Sequence, residues 1–246
     1  MFPLYDDNPT TRRPVVTVSL IVACVLAFVW QVSLGPVQGQ YVVYSLGFIP
    51  AVFFGEAQLP PELAIVPSGA TIVTSMFLHG SLMHLLGNML YLWIFGNNIE
   101  DACGHVRFIV FYLLCGLAAA FAQALPNPDS EIPMIGASGA ISGVLGAYLL
   151  LFPHARVYVL IPFGFLFVHP IPAGWLLVVW FGFQVLSGTM ADSEAGGVAF
   201  WAHVGGFVAG MALIPFMRDK DFKARQRKLR GRSRIPSTAQ RRTPWG

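Results

Sequence analysis

Charged residues are scarce in this chain of 246 residues. It contains 15 Lys or Arg and 12 Asp or Glu, which is 11% of the sequence, whereas soluble domains carry about 25%. Hydrophobic residues make up 55% of the chain. A sequence so poor in charge excludes an ordinary soluble protein and predicts an integral membrane protein.

Cysteine is rare as well, and several catalytic motifs are missing. Cys24, Cys103 and Cys115 are too few and too scattered for a disulfide framework or a cysteine metal site. The sequence lacks the His-Glu-x-x-His motif of zinc proteases, a phosphate loop and the Gly-x-Ser-x-Gly elbow of α/β-hydrolases. These reaction classes therefore fit the chain poorly.

Long apolar segments take the place of charge. A helix that spans a bilayer needs about 20 apolar residues, with a lower limit near 17. Segments of this kind predict an all-α polytopic membrane protein with six transmembrane helices, and Ser81 is the expected N-cap of the second. The six predicted spans are 15–34, 81–97, 106–125, 136–152, about 171–187, and 198–217.

Two other apolar stretches are interpreted as loops. Residues 40–55 contain Gly47 and Pro50, so we expect a loop half-sunk in the membrane interface, with a seventh span as the alternative. Residues 157–170 continue into the fifth span without a polar break, but prolines interrupt them. We therefore expect a loop on the cytoplasmic side there.

Charge is segregated by side in this topology. Arg12, Arg13, Arg107, Arg156 and the 11 basic residues of the tail all fall on one side. The positive-inside rule makes that side cytoplasmic and places both termini there. The loops on the other side carry acidic residues instead: Glu56, Glu62, Asp129, Glu131, Asp192 and Glu194.

The predicted topology divides the chain into three regions. Residues 1–14 form a cytoplasmic N-terminus, residues 15–217 a membrane domain, and residues 218–246 a basic cytoplasmic tail. We expect the tail to be disordered and to attract anionic membrane lipids rather than nucleic acid. No organelle-targeting extension precedes the first span, so we expect a prokaryotic cytoplasmic (inner) membrane protein.

Four of the polar residues inside the predicted spans are singled out, because a polar group in a span is costly and is a functional candidate by default. Ser138 lies in the first turn of the fourth span, and His203 lies about 9 Å into the sixth. His84 and Asn88 lie one and two turns into the second span. All three spans enter from the outer side, so the four residues share the outer half of the membrane.

These residue types suit acyl transfer. A serine hydroxyl needs an adjacent base, which His203 can supply to Ser138. His84 and Asn88 lie on one helix face and can donate hydrogen bonds to a developing oxyanion, as can the N–H of Ser138 at a helix N-terminus. No Asp or Glu lies within the spans, so we predict a Ser-His dyad rather than a triad.

Glycines on two spans predict how the dyad forms. Gly139 and Gly143 recur at four-residue spacing, as do Gly206 and Gly210, and small residues so spaced let membrane helices approach closely. We expect the fourth and sixth spans to cross at these glycines. Each motif alone also fits ordinary helix packing, so the interpretation depends on their shared depth.

The sequence resembles the rhomboid family of intramembrane serine proteases. The resemblance is carried by the motifs His84-x-x-x-Asn88, Gly136-Ala137-Ser138-Gly139, and Ala202-His203-x-x-Gly206-x-x-x-Gly210, with a further similarity at 96–101. It implies a six-helix rhomboid-like bundle with Ser138 as nucleophile and His203 as general base. The implied oxyanion hole is formed by His84, Asn88 and the Ser138 amide.

The resemblance also implies the partners of the protein, although the sequence departs from the family pattern at one position. It implies no metal or cofactor, and it implies single-span membrane proteins as substrates, cleaved near the outer membrane face. Ser142 stands where some members have an aromatic residue that stacks on the histidine. Other groups are then expected to hold His203.

Two other functions are compatible with the composition. A catalytically inactive rhomboid-like protein that binds membrane clients would need neither Ser138 nor His203, yet both are present. A small transporter would place ionisable groups near the membrane midplane, whereas the polar residues here lie near one face. The favoured prediction is a serine endopeptidase.

Overall fold

A computed structural model describes residues 2–163, 165–190, 197–222 and 224–226 of the chain. A 3-10 turn lies on either side of the short helix Thr71–Thr74, and a π-helical turn joins the helices Leu82–Tyr91 and Asn97–Cys103. The strands are β1 (Phe2–Asp6), β2 (Arg156–Phe163) and β3 (Phe165–Pro172). The helices are α1 (Val15–Ser33), α2 (Gly35–Leu46), α3 (Pro50–Phe54), α4 (Thr71–Thr74), α5 (Leu82–Tyr91), α6 (Asn97–Cys103), α7 (His105–Ala124), α8 (Ser138–Leu151), α9 (Ala173–Met190) and α10 (Phe200–Met217).

The helices α1, α7, α9 and α10 are long and apolar enough to cross a membrane. Their outward surfaces carry large exposed apolar side chains such as Val29, Trp175 and Phe216. Extended apolar surface of this kind is stable against lipid and rare on soluble monomers. The chain is therefore an integral membrane protein that crosses the bilayer several times, as its composition predicts.

The second predicted span is the longer arm of a bent helix pair. The arms Ser68–Phe77 and Leu82–Cys103 meet at 83° and together pass the same test of length and apolarity. Ser81 caps the longer arm as predicted, because its Oγ accepts a hydrogen bond from the His84 N–H at 3.1 Å. The arm continues past the predicted end at residue 97, since the polar residues beyond it are buried and paired.

The short helix α8 lies at the centre of the molecule. It has 14 residues and a length of about 21 Å, less than the thickness of a bilayer core. It is buried on nearly all sides, with α10 packed along one face and α7 along another. The described residues thus contain four long spans, or five with the bent pair, and α8 corresponds to the fourth predicted span.

A three-stranded sheet corrects the prediction of a wholly helical chain. Residues 157–170, expected to form a loop, belong to β2 and β3, and β1 completes an antiparallel sheet of order β1-β2-β3. Val157 and Val159 are fully buried on one face, which is the alternation of a half-buried strand. Pro170 lies on β3 and pairs with Tyr158 of β2. Because β3 is an edge strand, the missing N–H of the proline is tolerated.

The stretch 40–55 is helical rather than a loop, which is a second correction. It belongs to α2, of 12 residues, and to α3, of five, and both are too short to span a bilayer. Gly47 is extended and ends α2, while Pro50 is the first residue of α3, where a missing N–H costs nothing. The glycine and the proline therefore mark helix ends.

A group of buried polar residues joins the N-terminal segment to α6, and we call Asp6, Asn98, Glu100 and Asp101 the basal polar cluster. Glu100 is fully buried and accepts hydrogen bonds from the N–H groups of Val16 and Thr17, at 2.9 and 2.8 Å, at the start of α1. Asp101 accepts a hydrogen bond from the Arg12 N–H at 3.1 Å. Glu100 thus satisfies two N–H groups in the first turn of α1 that have no acceptor within the helix, and Asp101 fixes the segment just before it.

Asp6 connects the sheet to the end of α8. Its carboxylate accepts hydrogen bonds from Tyr148 Oη, near the C-terminal end of α8, and from Asn98. Burial raises the pKa of Asp6 to about 6, against the opposing effect of these hydrogen bonds. The basal polar cluster therefore lies at the end of α8 opposite to Ser138.

The first residues of the predicted tail are ordered against this cluster. Asp219 pairs with Arg12 at 2.6 Å and with Arg225 at 2.8 Å, and its hydrogen bond with Arg225 lowers the pKa of Asp219 to about 2. Phe222 is buried. Residues 227–246 of the predicted tail, and the predicted outer-loop acids at 192 and 194, lie outside the described residues.

Candidate active site

One cavity of about 800 Å³ brings the predicted site residues together. His84, Asn88, Ser138 and His203 all line it. His84, Ser138 and His203 come from the first turns of α5, α8 and α10, and Asn88 comes from the second turn of α5. These helices begin at the side opposite to the basal polar cluster. The shared depth expected for these residues thus corresponds to one enclosed space.

The turn before α8 depends on Gly136. Its φ is +122°, and a Cβ at this position would lie 2.8 Å from Cε1 and Nε2 of His84. Its N–H donates to Ser75 O at 2.9 Å. Ser138 follows as the first residue of α8 and is half-buried at the cavity wall. The first N–H groups of a helix have no acceptor within the helix, so the Ser138 amide is available to a ligand.

His84 places a ring nitrogen beside this turn. Its Nδ1 accepts a long hydrogen bond from the Gly80 N–H, at 3.5 Å. With Nδ1 as acceptor, a neutral ring carries its proton on Nε2, the atom nearest to Gly136. The His79 ring packs edge-on against His84 with ring centres 5.1 Å apart, which supports this orientation.

Asn88 contributes a buried amide donor without a partner. The side chain is 8% exposed, and its Nδ2 makes no hydrogen bond within the part of the chain that the structure describes. A buried donor left unpaired is costly and needs an explanation. Because Asn88 also lines the cavity, an oxygen atom of a bound ligand would satisfy it.

The helices α8 and α10 cross in backbone contact. A Cβ on Gly206 would lie 2.0 Å from Gly139 O, and one on Gly210 would lie 1.9 Å from Gly143 O. Real Cβ atoms never approach so closely, so only glycine allows this crossing. The contact sets the start of α10, with His203, against the first turn of α8, with Ser138.

Ser138 and His203 line the same cavity, but no hydrogen bond joins their side chains among the described residues. The Ser142 hydroxyl donates to the backbone carbonyl of Ser138 at 2.7 Å, a contact within α8 that does not involve the Ser138 hydroxyl. Catalytic hydrogen bonds are commonly long in the unliganded state and shorten when substrate binds. The cavity therefore contains both groups, and we expect the hydrogen bond between them to form when substrate binds.

His203 is held by two residues of α9 that the sequence did not single out. Its Nδ1 lies 2.8 Å from Oε1 of Gln184, which is buried, and its ring lies 5.9 Å from that of Trp180 at a tilt of 36°. Trp180 on α9 is thus an aromatic neighbour of His203, whereas position 142, which is aromatic in some family members, holds Ser142. A polar amide in an apolar span was the signal that could have identified Gln184.

Gln123 is a second glutamine that the sequence did not single out. It lies near the end of α7, lines the cavity, and accepts a hydrogen bond from the Ala202 N–H at 3.2 Å. This contact satisfies an N–H in the first turn of α10, one residue before His203. Gln123 therefore fixes the start of the helix that carries the predicted base.

Comparison with known proteins gives consistent matches. The family model described as Rhomboid domain matches residues 68–220. "Rhomboid protein 1, mitochondrial" of Saccharomyces cerevisiae is 31% identical over 214 residues, covering 78% of this chain and 58% of that protein. "Presenilin-associated rhomboid-like protein, mitochondrial" of Mus musculus is 29% identical over 163 residues, or 63% of this chain and 40% of the other.

A bacterial relative is similar over a shorter region. "Rhomboid protease GluP" of Bacillus subtilis is 33% identical over 146 residues, covering 58% of this chain and 25% of that protein. The chain thus aligns with between a quarter and three fifths of the length of these relatives.

Proposed function

Since the chain belongs to the rhomboid family, we propose that it is an intramembrane serine endopeptidase. Its substrates would be single-span membrane proteins, which it would cleave near the outer membrane face. The proposal is carried by one observation, which is that Ser138, His203, His84 and Asn88, from the first two turns of three helices, line one cavity. Packing alone gives no reason for four polar residues to gather there.

The proposed reaction is an acyl transfer through Ser138. Its Oγ attacks the substrate carbonyl carbon while His203 accepts the hydroxyl proton, and the amine leaves with a proton returned by His203. Water then hydrolyses the acyl-enzyme in the same way. The oxyanion of each tetrahedral intermediate would accept hydrogen bonds from His84, from Asn88 and from the Ser138 amide, and one such donor is worth about 10²- to 10³-fold in rate.

The membrane topology that goes with this function has six crossings, with both termini in the cytoplasm. Arg12, before α1, contacts Asp219, after α10, at 2.6 Å. Segments in contact lie on one side of the membrane, so the number of crossings is even. The four long helices, the bent pair and α8 add up to six, whereas leaving out α8 gives five. This contact therefore supports six crossings.

The ends of the chain keep their predicted roles within this proposal. Residues 15–217 form the membrane protease domain, residues 1–14 lie in the cytoplasm, and the basic residues of 218–246 face anionic lipids on that side. A prokaryotic cytoplasmic membrane stays the proposed location, and the relatives point both ways: one is a protein of Bacillus subtilis, whereas others are named for mitochondria.

Labelling with a serine-directed fluorophosphonate tests the proposed function. We expect the purified protein in detergent to be labelled at Ser138, and we expect Ser138→Ala and His203→Ala to abolish labelling, since they remove the nucleophile and its base. The measurement is the labelling rate together with the mass of the modified peptide. A detergent-solubilised single-span substrate should lose cleavage with the same two variants.

The control for this experiment is Ser19→Ala. Ser19 lies on the exposed side of α1 and donates to Val15 O, far from the cavity, so its variant should label like the wild type. Labelling that persists in Ser138→Ala would place the nucleophile elsewhere. A folded protein that is neither labelled nor active, yet binds single-span proteins, would favour the catalytically inactive, client-binding alternative.

A further inference from the structure

The residue that orients His203 lies on α9. We propose that Gln184 is a positioning residue, which selects the His203 tautomer with its proton on Nδ1 and so leaves Nε2 as the basic nitrogen. The inference rests on the proposed function, because it assigns a role to a neighbour of the proposed base. It goes beyond the dyad by giving the histidine a third, uncharged partner.

The contact itself favours this tautomer. Gln184 Oε1 lies 2.8 Å from His203 Nδ1, and a carbonyl oxygen can only accept a hydrogen bond. Nδ1 must therefore carry the proton in the neutral ring, and Nε2 keeps its lone pair. A general base needs that free lone pair, and the hydrogen bond made by the other ring nitrogen decides which nitrogen has it.

The surroundings strengthen the contact. Gln184 is only 6% exposed and lies within an apolar span, where water cannot replace a lost partner. Trp180, one turn before it on α9, packs its ring against the His203 ring. A hydrogen bond at one edge and an aromatic ring at one face together restrict rotation of the imidazole.

Gln184 takes the place that a carboxylate holds in a serine protease triad. An acid in that position both selects the tautomer and stabilises the imidazolium that forms during the reaction. An amide supplies the first effect without the second, and it does not place a charge in the apolar interior. The absence of Asp and Glu from the spans predicted from the sequence is thus compatible with an oriented base.

Two substitutions separate the hydrogen bond from the packing. Gln184→Met keeps the length of the side chain and removes the acceptor, and we expect it to lower the kcat for cleavage and the fluorophosphonate labelling rate about tenfold, with KM little changed. Gln184→Glu keeps a carboxyl oxygen that can accept the hydrogen bond from Nδ1 and should recover most of the labelling rate. Thr189→Val, which loses a local hydrogen bond to Leu186 O on the same helix, should label like the wild type.

The tautomer can be measured without any reaction. In ¹⁵N-histidine NMR spectra in detergent micelles, with His203→Ala used to assign the signal, we expect the wild-type His203 ring to carry its proton on Nδ1. In Gln184→Met the two tautomers should both be populated. This readout tests the proposed contact even if the protein has no protease activity, so its outcome is separate from that of the proposed function.

Three outcomes would overturn the inference. One is a proton on Nε2 in the wild type, which would mean that the amide of Gln184 donates to Nδ1. Another is an unchanged tautomer and labelling rate in Gln184→Met. The third is an equal loss in the Met and Glu variants together with a lower unfolding midpoint, which would make Gln184 a packing residue only.

Discussion

Gly136 combines two separate requirements at one position. Its backbone lies in the left-handed half of φ space, and the space where a side chain would stand is occupied by the His84 ring. The first requirement is conformational and the second is steric, so they can be separated by comparison with another glycine. Gly55 has a φ of +87° but open space around it.

We predict that Gly136→Ala displaces His84 and removes one oxyanion donor. The labelling rate should fall about 100-fold or more, which is the usual cost of losing such a donor. The comparison is with Gly55→Ala, which imposes only the backbone strain of about 1 kcal/mol and should lower the unfolding midpoint without changing the labelling rate. Equal labelling in the two variants would show that His84 makes no contribution.

The crossing of α8 and α10 is the structural relation on which the site depends. Their backbones touch at Gly139 with Gly206 and at Gly143 with Gly210. Inside a bilayer the hydrophobic effect does not favour contacts between helices over contacts with lipid, because both are apolar. Close van der Waals packing therefore holds such a helix pair together. The position of His203 relative to Ser138 is therefore a property of the two helices rather than of either residue.

We predict that Gly206→Ala disrupts the site through this crossing. The added methyl group would stand 2.0 Å from Gly139 O, so the helices must move apart. Overpacking of this kind costs about 1–3 kcal/mol, and labelling at Ser138 should be lost as His203 moves away. The checks are the unfolding midpoint in detergent and the labelling rate.

Gly182→Ala is the matched control for the crossing. Gly182 is also a helical glycine, but nothing lies within 4 Å of its would-be Cβ. Alanine has the higher helix propensity, so this variant should keep its labelling rate and should be no less stable than the wild type. If Gly182→Ala lost as much stability as Gly206→Ala, the loss in Gly206→Ala could not be assigned to the contact between α8 and α10.

At the scale of the whole molecule, the N-terminal segment before α1 contacts the segment that follows α10. β1 pairs with β2, Asp6 contacts α8, and Arg12 and Arg225 both pair with Asp219. The basal polar cluster completes this layer at the end of the molecule remote from the cavity. Partly exposed ion pairs add little stability, so we expect the hydrogen bonds of the buried Glu100 and the strand pairing of the sheet to contribute most of the stability of this layer.

This arrangement predicts the result of a topology experiment. Cysteines introduced as Phe2→Cys and Lys220→Cys should react with an impermeant maleimide from the cytoplasmic side only, and Glu56→Cys from the opposite side only. All three positions are exposed, whereas the native cysteines Cys24, Cys103 and Cys115 are buried and can stay in place. The measurement is a mass shift in sealed vesicles of each orientation.

The topology experiment also has a decisive negative result. If Phe2→Cys and Lys220→Cys reacted from different sides, the number of crossings would be odd. The proposal of six crossings would then be wrong, and the contact between Arg12 and Asp219 could not exist in the membrane.

The sequence by itself determined which segments lie in lipid and which residues belong to the family motifs. Apolar length and helix-start signals are local properties, so the spans and the Ser81 cap could be read from single segments. The same local signals failed at residues 157–170 and 40–55. A proline or glycine interrupts the chain in a loop, between two strands and between two helices alike. Whether the residues beside it form strands, helices or a loop depends on the segments that pair or pack with them.

Only the tertiary structure decided what surrounds His203. A glutamine on α9 and a tryptophan one turn away gain their roles from a distance of 2.8 Å and a ring contact between helices, neither of which has a sequence spacing to announce it. The six-span count stays a prediction, because α8, which corresponds to the fourth predicted span, has only 14 residues. Contacts between separate segments depend on packing, and packing is fixed only when all the helices are in place.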